Sequence, residues 1–302
     1  MKVTIRSLAL VGAVALTVGL SGCSSSSDST SSGAESASAV PTVAKDDALA
    51  AMVPAEIAAD GKLVIGTDAS YAPSEFMAAD GTTIVGFDVD LAKAVGQVLG
   101  LEAEMQNAKF DSLVEGVKTG KYELGVSSFT INPDREKQVD MPSYFNAGTS
   151  WAAPKGNPNG ITPDNACGRK IAVQTATVQA DDVAARSKAC TDAGKDAITI
   201  EQYQLQSDAT AAVVSGKDDA MLADSPVVAY AIAQTGDKLE MVGDTYDAAP
   251  YGYAVPKGQG DYTKAIQGAL QKLIDDGTYL KVLTNWGVQS GAIATSEVNP
   301  LQ

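Results

Sequence analysis

Between Ser127 and Arg135 the chain reads Ser-Ser-Phe-Thr-Ile-Asn-Pro-Asp-Arg, hydroxyls crowded ahead of a turn and an arginine. Arginine is scarce, occurring only at positions 6, 135, 169 and 186. A guanidinium presents paired, planar donors at fixed charge, whereas a lysine offers a mobile point charge. An arginine held beside Ser127, Ser128 and Thr130 therefore suits the capture of one carboxylate. The competing reading of the same residues is a surface arginine on a short helix. The elements that position the segment decide between the two.

Short apolar strands alternate with helix-period segments along most of the chain, the pattern of an α/β fold. A strand is predicted over 62–67, running into the polar loop 68–73. Asp80-Gly81 reads as a hairpin turn. In the segment 86–100, Asp88 is the expected N-cap of a helix with Leu91, Val95 and Val98 as its apolar stripe and Gly100 as its stop. A helix over 111–119 and a strand over 122–126 follow. That strand delivers the chain directly into the serine–arginine segment, at the strand end where an open α/β sheet places ligand groups. Beyond Asn146 a second unit has predicted strands over 170–173, 198–203, 219–223 and 239–242. Helices are expected from 174 to about 187, over 208–215 and over 225–234. After a strand over 252–255, helices over 262–275 and 278–286 have no sheet of their own and are expected to pack back on the first unit. Two chain crossings result, near 147–152 and 248–253.

The N-terminus has a different character. Lys2 and Arg6 precede an uncharged apolar run over 8–20, too short to span a bilayer but suited to a signal-peptide core. It ends in Leu20-Ser21-Gly22-Cys23, which resembles the bacterial lipobox and implies a lipidated Cys23. The alternative is an ordinary signal peptide with an incidental cysteine. Residues 1–22 are thus read as a signal peptide and 23–57 as the lipidated cysteine and a flexible Ser/Ala-rich tether. The expected location is the outer face of the bacterial cell membrane, held by lipid. Cys167 and Cys190 form an even pair in an oxidising compartment, so a disulfide is expected, with two buried free thiols as the alternative. With no histidine and no further cysteine, a metal site is not expected. The net charge of −15 argues against nucleic acid and against tight binding to anionic head groups.

Four motifs in order carry a family resemblance: Gly86-Phe87-Asp88-Val89-Asp90-Leu91; Asp111-Ser112-Leu113 through Gly120-Lys121-Tyr122-Glu123; Ser127-Ser128-Phe129-Thr130 with Arg135; and Asp275-Asp276-Gly277-Thr278-Tyr279 followed by Trp286. From 62 to 288 the chain resembles the amino-acid-type (family 3) solute-binding lipoproteins of ABC importers. The resemblance implies a periplasmic-binding-protein-like type II fold, two α/β lobes joined by a two-crossing hinge. Lobe 1 would comprise 58–148 plus 251–290, lobe 2 149–250, and 291–302 a tail.

By that resemblance Arg135 and Thr130 hold the α-carboxylate of a free amino acid, with Ser127 and Ser128 serving carboxylate and ammonium. Asp224 pairs the ammonium, unless it is only the N-cap of the helix that follows. Thr177 closes on the carboxylate from lobe 2 at a helix N-terminus. Tyr71 and Phe110 sandwich the aliphatic part of the ligand, and Asp68 and Glu75 face its side chain, favouring a polar or basic amino acid. No cofactor and no catalytic residue are expected. Hinge closure would bury both ligand charges, and the closed monomer would dock on a membrane permease driven by a cytoplasmic ATPase, since this sequence has no P-loop. The alternatives are a dehydratase-type enzyme on the same fold, with Glu75 or Asp68 as general acid, and a chemosensory receptor component. A sensor built on this module would carry a further domain, for which 289–302 leaves no room.

Overall fold

The computed structural model describes residues 40–302. The expected signal peptide, Cys23 and the tether as far as residue 39 lie outside the described residues. From Val40 onward the tether expectation is corrected, because the chain is packed. Val40, Val43, Leu49 and Met52 lie against the same core as Val53 and Ile57. The Val43 N–H donates to Gln97 Oε1 (2.8 Å), and Asp46 caps a short helix, Asp47–Ala50.

Lobe 1 is built on a parallel sheet in the order Glu102–Asn107, Lys62–Thr67, Leu124–Gly125. Its register pairs Lys62 with Glu102 and Ile65 with Leu124. Leu63 and Ile65 are fully buried beneath the helix Phe87–Leu99, whose Leu91, Val95 and Val98 supply the apolar stripe. Gly100 ends that helix in the left-handed conformation (φ 73°). Its N-terminus departs from expectation. The N-cap is Gly86 (φ 138°), where a Cβ would stand 2.0 Å from the Ser74 carbonyl oxygen, and Asp88 lies inside the helix. Asp88 points into the lobe rather than back at its own helix. The helices Gly260–Asp275 and Thr278–Asn285 pack on the same core through Tyr262, Leu270 and Tyr279. The Trp286 indole fastens them to the first helix by donating to Asp90 Oδ2 (2.9 Å).

Lobe 2 carries a five-stranded sheet in the order Thr199–Tyr203, Lys170–Gln174, Ala220–Asp224, Ser143–Pro154, Leu239–Gly252. The first three strands are parallel and the last two antiparallel. The long strand Ser143–Pro154 begins in the lobe 1 core with Tyr144 and Phe145 and ends in the lobe 2 core with Trp151 and Ala153. Leu239–Gly252 returns the other way, from Leu239 and Val242 to Tyr251. These paired strands are the two crossings, and the register shifts between Val242 and Tyr246 and again between Tyr246 and Ala249. At Gly148 a Cβ would sit 2.6 Å from the Tyr246 carbonyl oxygen, so this close approach admits only glycine. The expected strand over 239–242 is the start of one long, bulged strand, Leu239–Gly252, whereas of the expected strand over 252–255 only Gly252 belongs to it, Ala254 bridging to Gly125 and Val255–Pro256 pairing against Val139–Asp140. Cys167 and Cys190 are joined in a disulfide.

Candidate ligand-binding site

Every expected ligand residue except Glu75 lines a single narrow cleft, to which both lobes contribute. Arg135 sits on the one-turn helix Pro133–Glu136, which Asn132 caps by accepting from the Arg135 N–H (2.8 Å). The guanidinium leans over the Phe110 and Phe129 rings, 5.4 and 5.7 Å from their centroids. It donates to the Thr130 carbonyl oxygen (2.8 Å) within its own lobe and to the Ala176 carbonyl oxygen (3.2 Å) in the other. Burial pushes its pKa down to about 10, against the pull of Asp224 and Asp181, so it stays cationic at neutral pH.

Opposite stands Asp224, at the end of the strand Ala220–Asp224. It occupies the N-cap position of the helix Ser225–Gln234, yet its side chain makes no capping hydrogen bond. The carboxylate is spent instead on the cleft. Tyr71 Oη donates to Oδ2 (2.8 Å) and Gln179 Nε2 to Oδ1 (2.9 Å). Burial raises its pKa, while these donors and the Arg135 charge work to lower it. Thr177 caps the helix Val178–Asp192 by accepting from the Ala180 N–H (3.1 Å). The helix therefore presents its N-terminal end to the cleft, and Ala176 just before it adopts φ 62°.

Asp68, 1% exposed, receives Ser70 Oγ on Oδ1 (2.6 Å), and the Phe110 N–H (2.9 Å) and Gln174 Nε2 (3.0 Å) on Oδ2. Burial raises its pKa, and these three donors oppose the rise. Phe110 stacks on Phe129 with centroids 5.2 Å apart. Ser127 Oγ accepts from the Asp68 N–H (3.1 Å) and donates to Glu75 Oε1 (2.9 Å). Glu75 thus stands behind the cleft, in contact with the ligand segment but not with the cavity. Ser128 adopts φ 47°, and its N–H donates to Asp88 Oδ2 (2.9 Å).

Gln174 and Gln179 were not foreseen as site residues, and both reach the cleft. Each lies within three residues of Thr177. The register of the expected helix start was the signal that could have found them. The site brings together a cation from lobe 1, an anion from lobe 2, hydroxyls, and a helix N-terminus. That set matches the two ends of a zwitterion.

Two α/β lobes, joined by a pair of crossing strands and closed over a cleft with opposite charges, define a bilobal solute-binding protein. The chain belongs to the bacterial extracellular solute-binding proteins, family 3, whose model matches residues 63–289. It is 39% identical over 250 residues to the arginine-binding protein ArgT of Corynebacterium glutamicum, covering 82% of each chain. A solved ancestral arginine-binding protein bound to arginine is 33% identical, with a TM-score of 0.69 over 75% of this chain and 98% of that one. The ancestral amino acid-binding protein AncCDT-1, described as a precursor of cyclohexadienyl dehydratase, is 31% identical with a TM-score of 0.69, over 76% of this chain and 97% of that one.

Proposed function

We propose that this protein captures a free amino acid outside the cytoplasm, arginine ahead of other basic and amide amino acids, and delivers it to the permease of an ABC importer. The observation that carries the reading is the placement of Arg135 and Asp224 on opposite lobes of one cleft. A zwitterion entering there meets Arg135 with its carboxylate and Asp224 with its ammonium, and closure about the two crossing strands buries both charges with partners in place. Asp68 adds a second carboxylate to the cleft, which favours a cationic side chain and disfavours an acidic one. The names of ArgT and of the ancestral arginine-bound protein support the same ligand. The chain is lipidated at Cys23, works as a monomer, and draws its energy from the importer's ATPase.

An enzymatic reading has a foothold in the likeness to a dehydratase precursor. It is weakened at Glu75, one of the two candidate general acids, which bonds Ser127 behind the cavity, while the other, Asp68, lines the cleft with its carboxyl already taken up by Ser70, Phe110 and Gln174. Thermal denaturation of a soluble form against all common amino acids tests the binding reading. A ligand at one hundred times its Kd stabilises by about 2.7 kcal/mol. Arginine is expected to raise Tm, and Arg135→Ala to abolish the rise. A rise that survives that substitution overturns the carboxylate assignment.

A further inference from the structure

Behind the ligand segment, Glu75 and Asp88 are both fully buried: the Asp88 N–H donates to the carbonyl oxygen of Ser74, the neighbour of Glu75 (3.0 Å), and each side chain bonds one residue of the same Ser127–Ser128 turn. Their partners are unequal. Asp88 Oδ2 takes the Ser128 N–H (2.9 Å), Ser128 Oγ (3.3 Å) and Tyr144 Oη (2.7 Å), while Glu75 takes only Ser127 Oγ, on Oε1 (2.9 Å). One oxygen on each, Glu75 Oε2 and Asp88 Oδ1, has no donor from any other described residue. The titratable groups facing the pair are Asp68, Tyr71, Tyr144 and Tyr253, and none of them is a cation.

The geometry points to a single proton held between Glu75 Oε2 and Asp88 Oδ1, with Glu75 the neutral member, making the two a positioning pair for the Ser127–Ser128 turn. Two adjacent buried carboxylates cannot both keep a charge without a cation, and one proton removes the conflict. It also satisfies both orphaned oxygens at once. The richer donor set fixes the negative charge on Asp88, where it anchors the Ser128 N–H and holds that residue in its left-handed conformation. Glu75, being protonated on the other oxygen, can only accept from Ser127. The Ser127 hydroxyl must then turn its hydrogen inward and its lone pair toward the Asp68 N–H. The polarity of the ligand segment is thereby set from behind. Glu75 acts on the ligand through Ser127 and Ser128 and does not touch it.

Infrared spectroscopy of the ligand-free protein at neutral pH tests the pair directly. A protonated-carboxyl carbonyl stretch is expected in the wild type and is expected to disappear in Glu75→Gln. A wild-type spectrum whose carboxyl band is unaltered by Glu75→Gln overturns the assignment. The functional arm rests on amino-acid binding at this cleft. Glu75→Gln keeps a donor toward Asp88 and an acceptor for Ser127, so arginine affinity should stay within about threefold, whereas Glu75→Leu should lose about tenfold or more. As pH rises and the shared proton is lost, the wild type should lose affinity, and Glu75→Gln should not. Equal losses in the two variants, with both folded by circular dichroism, refute the positioning role. If the infrared band behaves as expected but no amino acid binds, the proton-sharing pair stands and the transport reading falls.

Discussion

The Tyr71 hydroxyl donates to Asp224 Oδ2 at 2.8 Å and accepts from the Asp224 backbone N–H at 3.1 Å, joining lobe 1 to lobe 2 with one side chain. The ring lies in the lobe 2 core cluster with Ala172, Met221 and Ala223, although its backbone belongs to lobe 1. Closure is thus stitched by the same anion that is available to a ligand ammonium. Gln174 to Asp68 (3.0 Å) and the Gln206 N–H to Ser70 Oγ (3.1 Å) add to the seam.

The two residues should separate on substitution. Asp224→Asn leaves the buried ammonium of the ligand without a countercharge. It should weaken arginine binding by about 2–5 kcal/mol, equivalent to a loss of thirtyfold or more in calorimetric titration. Tyr71→Phe keeps the ring and the Asp224 charge and should cost no more than about 1–2 kcal/mol. Losses of similar size would mean that Asp224 acts only as a hydrogen-bond acceptor for Tyr71.

The acid limb of binding follows from the same carboxyl. Burial raises its pKa, so its protonation begins at higher pH than for an ordinary aspartate. Only the ionised form pairs an ammonium, so affinity should fall as pH drops toward that raised value, before solvent-exposed carboxylates titrate. Asp224→Asn should bind weakly with a flatter acid limb. Affinity that is level from neutral pH down to the ordinary aspartate range would contradict this role.

Which residues gather at the cleft could be read largely from residue types, because an arginine and hydroxyls that follow a strand are local features of the sequence. Arg135, Thr130 and the two serines all lie within nine positions. What escaped was whatever depends on rotation about a helix or strand axis. Asp88 has every local attribute of an N-cap, yet Gly86 caps the helix and Asp88 faces inward toward Ser128 and Tyr144. Asp224 shows the converse. It stands at the N-cap position, but its side chain is drawn away by Tyr71, 153 residues earlier in the chain. The family resemblance sets Glu75 against the ligand side chain, whereas the pairing of Tyr71 with Glu75 across Ser70–Tyr71 and Glu75–Met77 leaves it buried behind the cleft. Local propensity carries no information about such distant partners. The crossings were legible as a count but not as two long strands, since their bulges break the period-two pattern.

The hinge makes its own prediction. At Gly148 the crossing strands leave no room for a side chain, since a methyl there meets the Tyr246 carbonyl oxygen at 2.6 Å and Thr245 Cγ2 at 2.7 Å. Gly148→Val should therefore spread the strand pair and lower stability by about 1–3 kcal/mol, read as a drop in the Tm of the ligand-free protein. An unchanged Tm would show that the crossing tolerates expansion.

The disulfide should affect stability but not recognition. Cys167 and Cys190 are 23 residues apart, and closing a loop of that length restricts the unfolded chain by about 3 kcal/mol in the chain-entropy model. The bridge ends in the last turns of the helix Val178–Asp192, whose opposite end carries Thr177 and Gln179. Replacing both cysteines by serine should lower Tm while leaving arginine affinity within about twofold, since only contacts remote from the cleft are lost. A large loss of affinity would mean that the bridge orients the helix N-terminus.

The proposed preference for a basic side chain rests on Asp68. Three donors, from Ser70, Phe110 and Gln174, surround its carboxyl and oppose the rise in pKa that burial causes. An anion at that point of the cleft attracts a guanidinium and is indifferent to a neutral amide, apart from a hydrogen bond that asparagine can also offer. Asp68→Asn keeps the shape of the site and removes the charge. Arginine affinity should then fall by about tenfold more than glutamine affinity, because the lost term of roughly 1.4 kcal/mol belongs to the charged ligand alone. Parallel titrations with the two amino acids measure that ratio. If both ligands weaken equally, Asp68 is a structural acceptor for Gln174 and Phe110, and the preference for a basic side chain must come from elsewhere in the cleft.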